Sequence, residues 1–356
     1  MNAIVAIDSL KGCLSSAEAN QAVAQGIRET FPDAHVCCMP VSDGGEGMLD
    51  AFAAAMGATI VTVPAHDPLM RPIEASYGIS PDGTTAVIEM AQASGLTLLA
   101  PDELDPWRAT THGTGELIAN ALCRGCTHLI IGLGGSATTD GGRGMLEALG
   151  ARFDDGCADL SQFVIAGRDL TVTVASDVRN PLCGSEGAAA VYGPQKGADH
   201  DMVGRLDRRL QAFAHLTAQA MGADHSLRPG AGAAGGMGFA LLAYMHAQLR
   251  SGIDLLLDLY DFDHLLRDAS LVVTGEGHAD RQTLMGKLPL GILQRAQRYN
   301  VPVVLLAGQT DDRQALLDAG FAAVRCINPV GSPLAECLVP DVARRRLRAC
   351  GATLCP

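Results

Sequence analysis

A chain of 356 residues, 48% of them hydrophobic, is long for one hydrophobic core and can bury two, so two domains are expected. Its net charge of −13 argues against a nucleic-acid surface, and RRRLR near the C-terminus, the one basic cluster, reads as a solvated helix face. No apolar run approaches the roughly 18 residues of a membrane span, and MNAIVAIDSL lacks a cationic start and carries Asp8 where a signal peptide stays apolar, so a cytoplasmic protein is expected.

The first predicted elements are a strand over Ile4–Ile7, a polar loop, and a helix that starts at the capping-box pair Ser15 and Glu18 and stops before Pro32. His35–Val41 repeats the pattern as a strand, followed by the loop SDGGEG and a helix over Met48–Met56 closed by Gly57. The texture then changes: Ile73–Ile79 and Thr85–Met90 flank the turn sequence SPDG and read as an antiparallel hairpin. THGTGE opens a helix in which His112 reads as a capping residue. HLII leads through GLGGSATTDGGRG into MLEALG, which gives strand, glycine loop, helix. LTVTVASDVRNPL, a polar helix over Asp201–Met221 and PGAGAAGGMGFALLAYM follow. Ser270–Thr274 is a short predicted strand before the polar loop GEGHADRQTLMGK; a helix over Leu290–Arg298, a strand over Val301–Ala307, a helix around Ala315 and a strand to Ile327 complete the alternation.

The fold class expected from this order is α/β: a doubly wound, mostly parallel sheet built from both chain ends, 1–63 and 260–356, with a mixed-sheet α/β domain inserted over 64–259. Several strands empty into loops of one composition. These carry Asp8, Ser9 and Lys11; Asp43, Gly44, Gly45 and Glu46; Gly134, Gly135, Ser136, Thr138 and Asp140; Asp177 and Asn180; and Glu276, Asp280 and Lys287. Ligands of open α/β sheets bind beyond the carboxyl ends of strands, so these loops are candidates to converge, although any one Asp taken alone is as well explained as a cap or turn residue. Glycine loops let backbone N–H groups approach an anion, carboxylates hold Mg²⁺ or accept a hydroxyl proton, and lysines neutralise phosphate oxygens, the combination phosphoryl transfer requires.

Lysine usage points the same way. Only Lys11, Lys196 and Lys287 occur among 26 basic residues, and each adjoins a glycine, as suits a compact ammonium in a tight anion site. GxxxxGK[ST] does not occur, since Leu288 follows Lys287, and the protein-kinase HRD and DFG signatures, HExxH, the EF-hand loop and GxSxG are also absent. Eleven scattered cysteines fit reduced thiols, and the CxxC pair Cys123 and Cys126 has no second pair to complete a zinc site.

Taken together, AIDSLKGCLS, MPVSDGGEGM, VIEMAQASGL, THGTGELI, IGLGGSATTDGGRGMLEALG, SDVRNPLCG, VYGPQKGA, PGAGAAGGMGF, VVTGEGHADRQTLMGKLPLG and VVLLAG resemble, in order and over nearly the whole chain, the bacterial type 1 glycerate kinases, the glycerate 2-kinase family. The resemblance implies ATP- and Mg²⁺-dependent phosphorylation of D-glycerate, at the 2-hydroxyl, in a cleft between two α/β domains. Leu10, Cys13, Met48, Thr139 and Ser176 depart from the family pattern, and the segment from Phe153 to Leu170 is short. Catalysis is expected from Asp8, Lys11, Asp140, Asp177, Lys196 and Lys287, with Asp140 and Asp177 as Mg²⁺ carboxylates. Binding is expected from Ser9, Asp43, Gly44, Gly45, Glu46, Gly134, Gly135, Ser136, Thr138, Asn180, Glu276 and Asp280. The expected partners are small molecules, with a homodimer as the candidate assembly. Alternatives are a kinase for another small hydroxy acid, formation of 3-phosphoglycerate, and a non-catalytic small-acid binder on the same scaffold.

Overall fold

The computed structural model describes residues 1–42, 45, 47–154 and 156–354. In chain order its strands are β1 (Asn2–Ile7), β2 (His35–Cys38), β3 (Thr59–His66), β4 (Pro72–Ile79), β5 (Thr85–Glu89), β6 (His128–Gly132), β7 (Arg152–Asp154), β8 (Cys157–Asp159), β9 (Thr171–Ala175), β10 (Gln248–Arg250), β11 (Leu271–Ala279), β12 (Val303–Thr310) and β13 (Ala323–Cys326). The fold is α/β, and the chain divides into two compact units: Met1–Asp43 with Asp50–Met56 and Ile253–Pro356, and Gly44–Leu49 with Gly57–Gly252.

The first unit holds a parallel five-stranded sheet in the order β13-β12-β11-β1-β2. Ala3–Ile7 of β1 is buried throughout, which is why this central strand reads as a continuous apolar run with no alternation. Helix Ser16–Thr30 starts at Ser15, whose side chain accepts from the Glu18 N–H while Glu18 reaches back to the Ser15 N–H. The same helix anchors the sheet through Asn20, fully buried, which accepts from the Ile7 N–H and donates to the Met39 carbonyl, both at 2.8 Å. Its neighbour is helix Pro340–Ala352, which approaches so closely that a Cβ on Gly26 would lie 1.9 Å from the Arg348 carbonyl oxygen. β11 runs to Ala279, five residues beyond the strand expected from sequence, because GEGHA stays in register with β12, Glu276 opposite Ala307 and His278 opposite Gln309.

The second unit holds a mixed six-stranded sheet, β10-β9-β6-β5-β4-β3. β3, β4 and β5 form an antiparallel meander with the expected turn at Ser80–Gly83, and β5, β6, β9 and β10 are mutually parallel. β3 thus belongs to this sheet up to its first residue, Thr59. The core includes Tyr77, Ile88, Leu117, Ile131, Met145, Val174 and Phe239, all essentially inaccessible. Helix His200–Met221 is capped by Asp199, whose carboxylate accepts from the Met202 N–H. No helix among the described residues is long and apolar enough to cross a membrane.

Candidate active site

In the first unit a cavity of about 840 Å³ opens at the carboxyl ends of β1, β11, β12 and β13. The sheet order reverses between β1 and β11, the switch point where open parallel sheets leave a crevice. Asp8, Ser9 and Lys11 line it from the loop after β1, and Glu276 and Lys287 from β11 and the loop before helix Leu288–Gln297, so five residues singled out from sequence meet here. Gln309, Asp311 and Asn328 also line it and were passed over, because no glycine motif surrounds them. Leu288, Pro289, Val330, Leu334 and Leu338 give the cavity an apolar side, and Val330 and Leu334 are strongly exposed.

Glu276 is 8% exposed. Its Oε1 accepts from the Thr283 hydroxyl at 2.6 Å, and the Lys287 ammonium lies 3.8 Å from its Oε2. Burial raises its proton affinity above that of an ordinary carboxylate, and the Thr283 hydrogen bond and the Lys287 charge work against that rise. Asp8 accepts from the Ser9 N–H at 2.7 Å, and its own N–H donates to the Gly275 carbonyl, which ties the loop to β11. Asp280 faces elsewhere: it caps the short turn Arg281–Leu284 by accepting from the Gln282 N–H.

The second unit carries the glycine loop between β6 and helix Arg143–Ala148. Gly135, exposed, has φ +72°, and Gly141 and Gly142 also lie in the left-handed region. Segment 230–238 packs onto the loop at Gly235 and Gly236, where a Cβ would lie 2.0 Å from the Thr138 carbonyl oxygen and 2.8 Å from the Gly141 Cα, which accounts for these two glycines of PGAGAAGGMGF. Asp140 is surrounded by donors. Its Oδ2 accepts from the Thr111 N–H and hydroxyl at 2.8 Å each, from the Gly144 N–H at 3.1 Å and from the Thr110 hydroxyl at 3.4 Å; its Oδ1 accepts from the Gly142 N–H at 3.0 Å. Such surroundings suit an anion that fastens turn 110–111 to the first turn of the next helix, and they do not suit a Mg²⁺ ligand. Among the described residues no group of three or more His, Cys, Asp or Glu side chains could hold a metal ion.

Lys196 is 2% exposed, and its Nζ donates to the Ser136 hydroxyl at 2.7 Å and the Thr138 carbonyl at 2.5 Å. Burial pushes its ammonium down to about 7, with the charge of Asp140 acting in the opposite direction. A neutral amine has two N–H groups, enough for both acceptors, so the site tolerates deprotonation. An unfolded lysine holds its proton to about 10.5. Between these values the unfolded chain binds more protons, so this group makes stability rise with pH from about 7 and fall as pH drops back toward 7, by up to about 1.4 kcal/mol per pH unit. Lys196→Met should remove that slope. Urea unfolding at pH 7, 8 and 9 checks it, and equal slopes in both proteins would contradict the assignment.

Asp177, after β9, is exposed and engaged in an interaction of its own. Asn180 is spent structurally, its Nδ2 on the Glu186 carbonyl and its Oδ1 on the Tyr192 hydroxyl. Gly45 accepts from the Met48 N–H through its carbonyl, whereas Asp43, Gly44 and Glu46 lie outside the described residues. His112 is the first residue of helix His112–Cys123, after the N-cap Thr111. Its imidazole lies 3.7 Å from Glu116, which also accepts from the His66 N–H.

The glycerate kinase family model matches residues 3–355. A glycerate kinase of Bacillus subtilis (strain 168) is 44% identical, with 94% of this chain and 92% of that protein covered. A glycerate 2-kinase of Escherichia coli (strain K12) is 43% identical, with 91% and 90% covered. A crystal structure from Salmonella typhimurium LT2, carrying the designation glycerate kinase 2, superposes with a TM-score of 0.85 at 43% identity over 99% of this chain and 96% of that one. A match that runs through both units and every glycine loop leaves no part of the fold outside it: the chain belongs to the glycerate kinase family of enzymes.

Proposed function

We propose that this enzyme transfers the terminal phosphoryl group of ATP to the 2-hydroxyl of D-glycerate, giving 2-phosphoglycerate and ADP in the cytoplasm. The observation that carries the reading is the cavity at the switch point. An apolar side formed by Leu288, Val330 and Leu334 suits a purine, and Lys11 and Lys287 supply compact cations for phosphate oxygens. Glu276, whose burial raises its proton affinity, is assigned to accept the proton of the attacking hydroxyl, with Asp8 as the second carboxylate of the cavity. Mg²⁺, which neutralises developing phosphate charge, would enter on the nucleotide phosphates and take few protein ligands. Of the two carboxylates expected from sequence to hold Mg²⁺, Asp140 and Asp177, Asp177 remains the candidate. The names of the relatives support glycerate as acceptor.

ADP release should require glycerate and Mg²⁺ together, and ³¹P NMR of the product should show 2-phosphoglycerate. ADP release indifferent to glycerate or to a chelator would remove the kinase reading, and a spectrum dominated by 3-phosphoglycerate would correct the regiochemistry.

A further inference from the structure

A pair of side chains in the cavity of the first unit has no part in the reading above. His278 donates through Nε2 to Asp311 Oδ2 at 2.8 Å, and both residues line the cavity. Their place follows from the sheet. Glu276 and His278 are two residues apart on β11 and so share one face of the strand, and the register sets His278 beside Gln309 of β12, itself a lining residue. Asp311 comes two residues after Gln309, just past the end of β12. Its N–H donates to the Ala279 carbonyl at 2.9 Å, which carries the ladder one step further and holds the carboxylate beside the imidazole.

Stability does not explain the pair. The two side chains are 47% and 59% exposed, and an ion pair so open to water adds little to the fold. The charge of the cavity does explain it. The lining carries three carboxylates, Asp8, Glu276 and Asp311, against two lysines, Lys11 and Lys287. A polyphosphate entering there would meet an excess of like charge unless one carboxylate is covered, and His278 covers Asp311. The imidazole also has a second nitrogen to offer. With Nε2 turned to the carboxylate, Nδ1 makes no hydrogen bond to the described residues, and in the protonated ring it is a donor.

We propose that His278 is an anion-binding residue of the enzyme: its imidazolium, oriented by Asp311, donates through Nδ1 to a phosphate oxygen of the nucleotide, as a third cation beside Lys11 and Lys287. Asp311 is a positioning residue, acting through the ring. The assignment rests on the kinase reading above and adds to it a side chain that meets the polyphosphate.

The test uses the full chain with His278→Ala and the double variant His278→Ala/Asp311→Asn. Calorimetric titration with ATP and with inorganic tripolyphosphate, which has no base or sugar, reads the contact directly. His278→Ala should weaken both ligands by about tenfold or more, the loss of one hydrogen bond to a charged group, and raise KM for ATP in step. KM for glycerate should stay within about threefold of wild type, with the melting temperature nearly unchanged. The double variant should remain about fivefold or more weaker than wild type for tripolyphosphate, because the donor is still missing. Recovery of the double variant to wild-type affinity overturns the direct contact and leaves His278 as a cover for Asp311. Unchanged tripolyphosphate binding in His278→Ala, or a wild-type protein that binds none, overturns the proposal altogether. A wild-type protein that binds tripolyphosphate but releases no ADP with glycerate removes the kinase reading instead, and the titrations still decide whether His278 holds the anion.

Discussion

Asp140→Asn is expected to lower the unfolding free energy by about 2–4 kcal/mol and to leave turnover of the folded enzyme within about tenfold of wild type. Four donors converge on Oδ2 and one on Oδ1, so an amide in either orientation places an NH₂ group against N–H or O–H donors. Charge-assisted bonds are lost at the same time, each worth roughly 1.5–3 kcal/mol before relaxation. Nothing can shift aside at low cost, because a Cβ on Gly144 would lie 2.0 Å from the Thr110 hydroxyl and 3.0 Å from Asp140 Oδ2. The expectation from sequence, with Asp140 on Mg²⁺ or on the reacting hydroxyl, was the reverse: an intact fold and turnover cut by orders of magnitude. Urea midpoints and turnover measured well below the transition separate the two, and a wild-type midpoint with collapsed turnover would return Asp140 to the chemistry.

Asp140 also shows where legibility ended. The strand–loop–helix order around it was readable from HLII, the glycines and MLEALG, because periodicity and backbone freedom are local properties. The partners of its carboxylate come from turn 110–111, some thirty residues away, and no pattern within the loop announces them. Lys196 follows the same logic. Lysine scarcity marked it as special, but only its contacts with Ser136 and Thr138 show that its ammonium faces the interior of the unit. The cavity loops were easier to read. Asp8 and Lys287 follow, and Glu276 lies near the carboxyl end of, strands whose parallel order the α/β alternation implies, and the crevice at the switch point follows from that order alone. Gln309, within β12, and Asp311 and Asn328, just beyond β12 and β13, escaped because no glycine-rich loop marks them.

Glu276→Gln should give the largest loss of activity, roughly a hundredfold or more in kcat, as expected when a general base is replaced by its neutral isostere. The fold should tolerate the change. Gln keeps an acceptor for the Thr283 hydroxyl, which now donates to Oε1 at 2.6 Å, and Lys287, half-exposed and 3.8 Å away, keeps access to water. Stability should move the other way. Because burial raises the folded-state proton affinity of Glu276 above its unfolded value, the native chain binds its proton more tightly, and stability from this group is present below the unfolded pKa and lost as pH rises through the folded one. The amide carries no such loss, so at neutral pH the variant should be as stable as wild type or slightly more so, while its stability should depend less on pH between about 4.5 and neutrality. Lys287→Met supplies the converse. It removes the cation that holds the proton affinity of Glu276 down, so the acid limb of the kcat/KM profile should shift to higher pH. Kinetics across pH 5–9 with urea unfolding in parallel test both variants. A Glu276→Gln enzyme with normal turnover, or an acid limb unmoved in Lys287→Met, would take Glu276 out of the proton transfer.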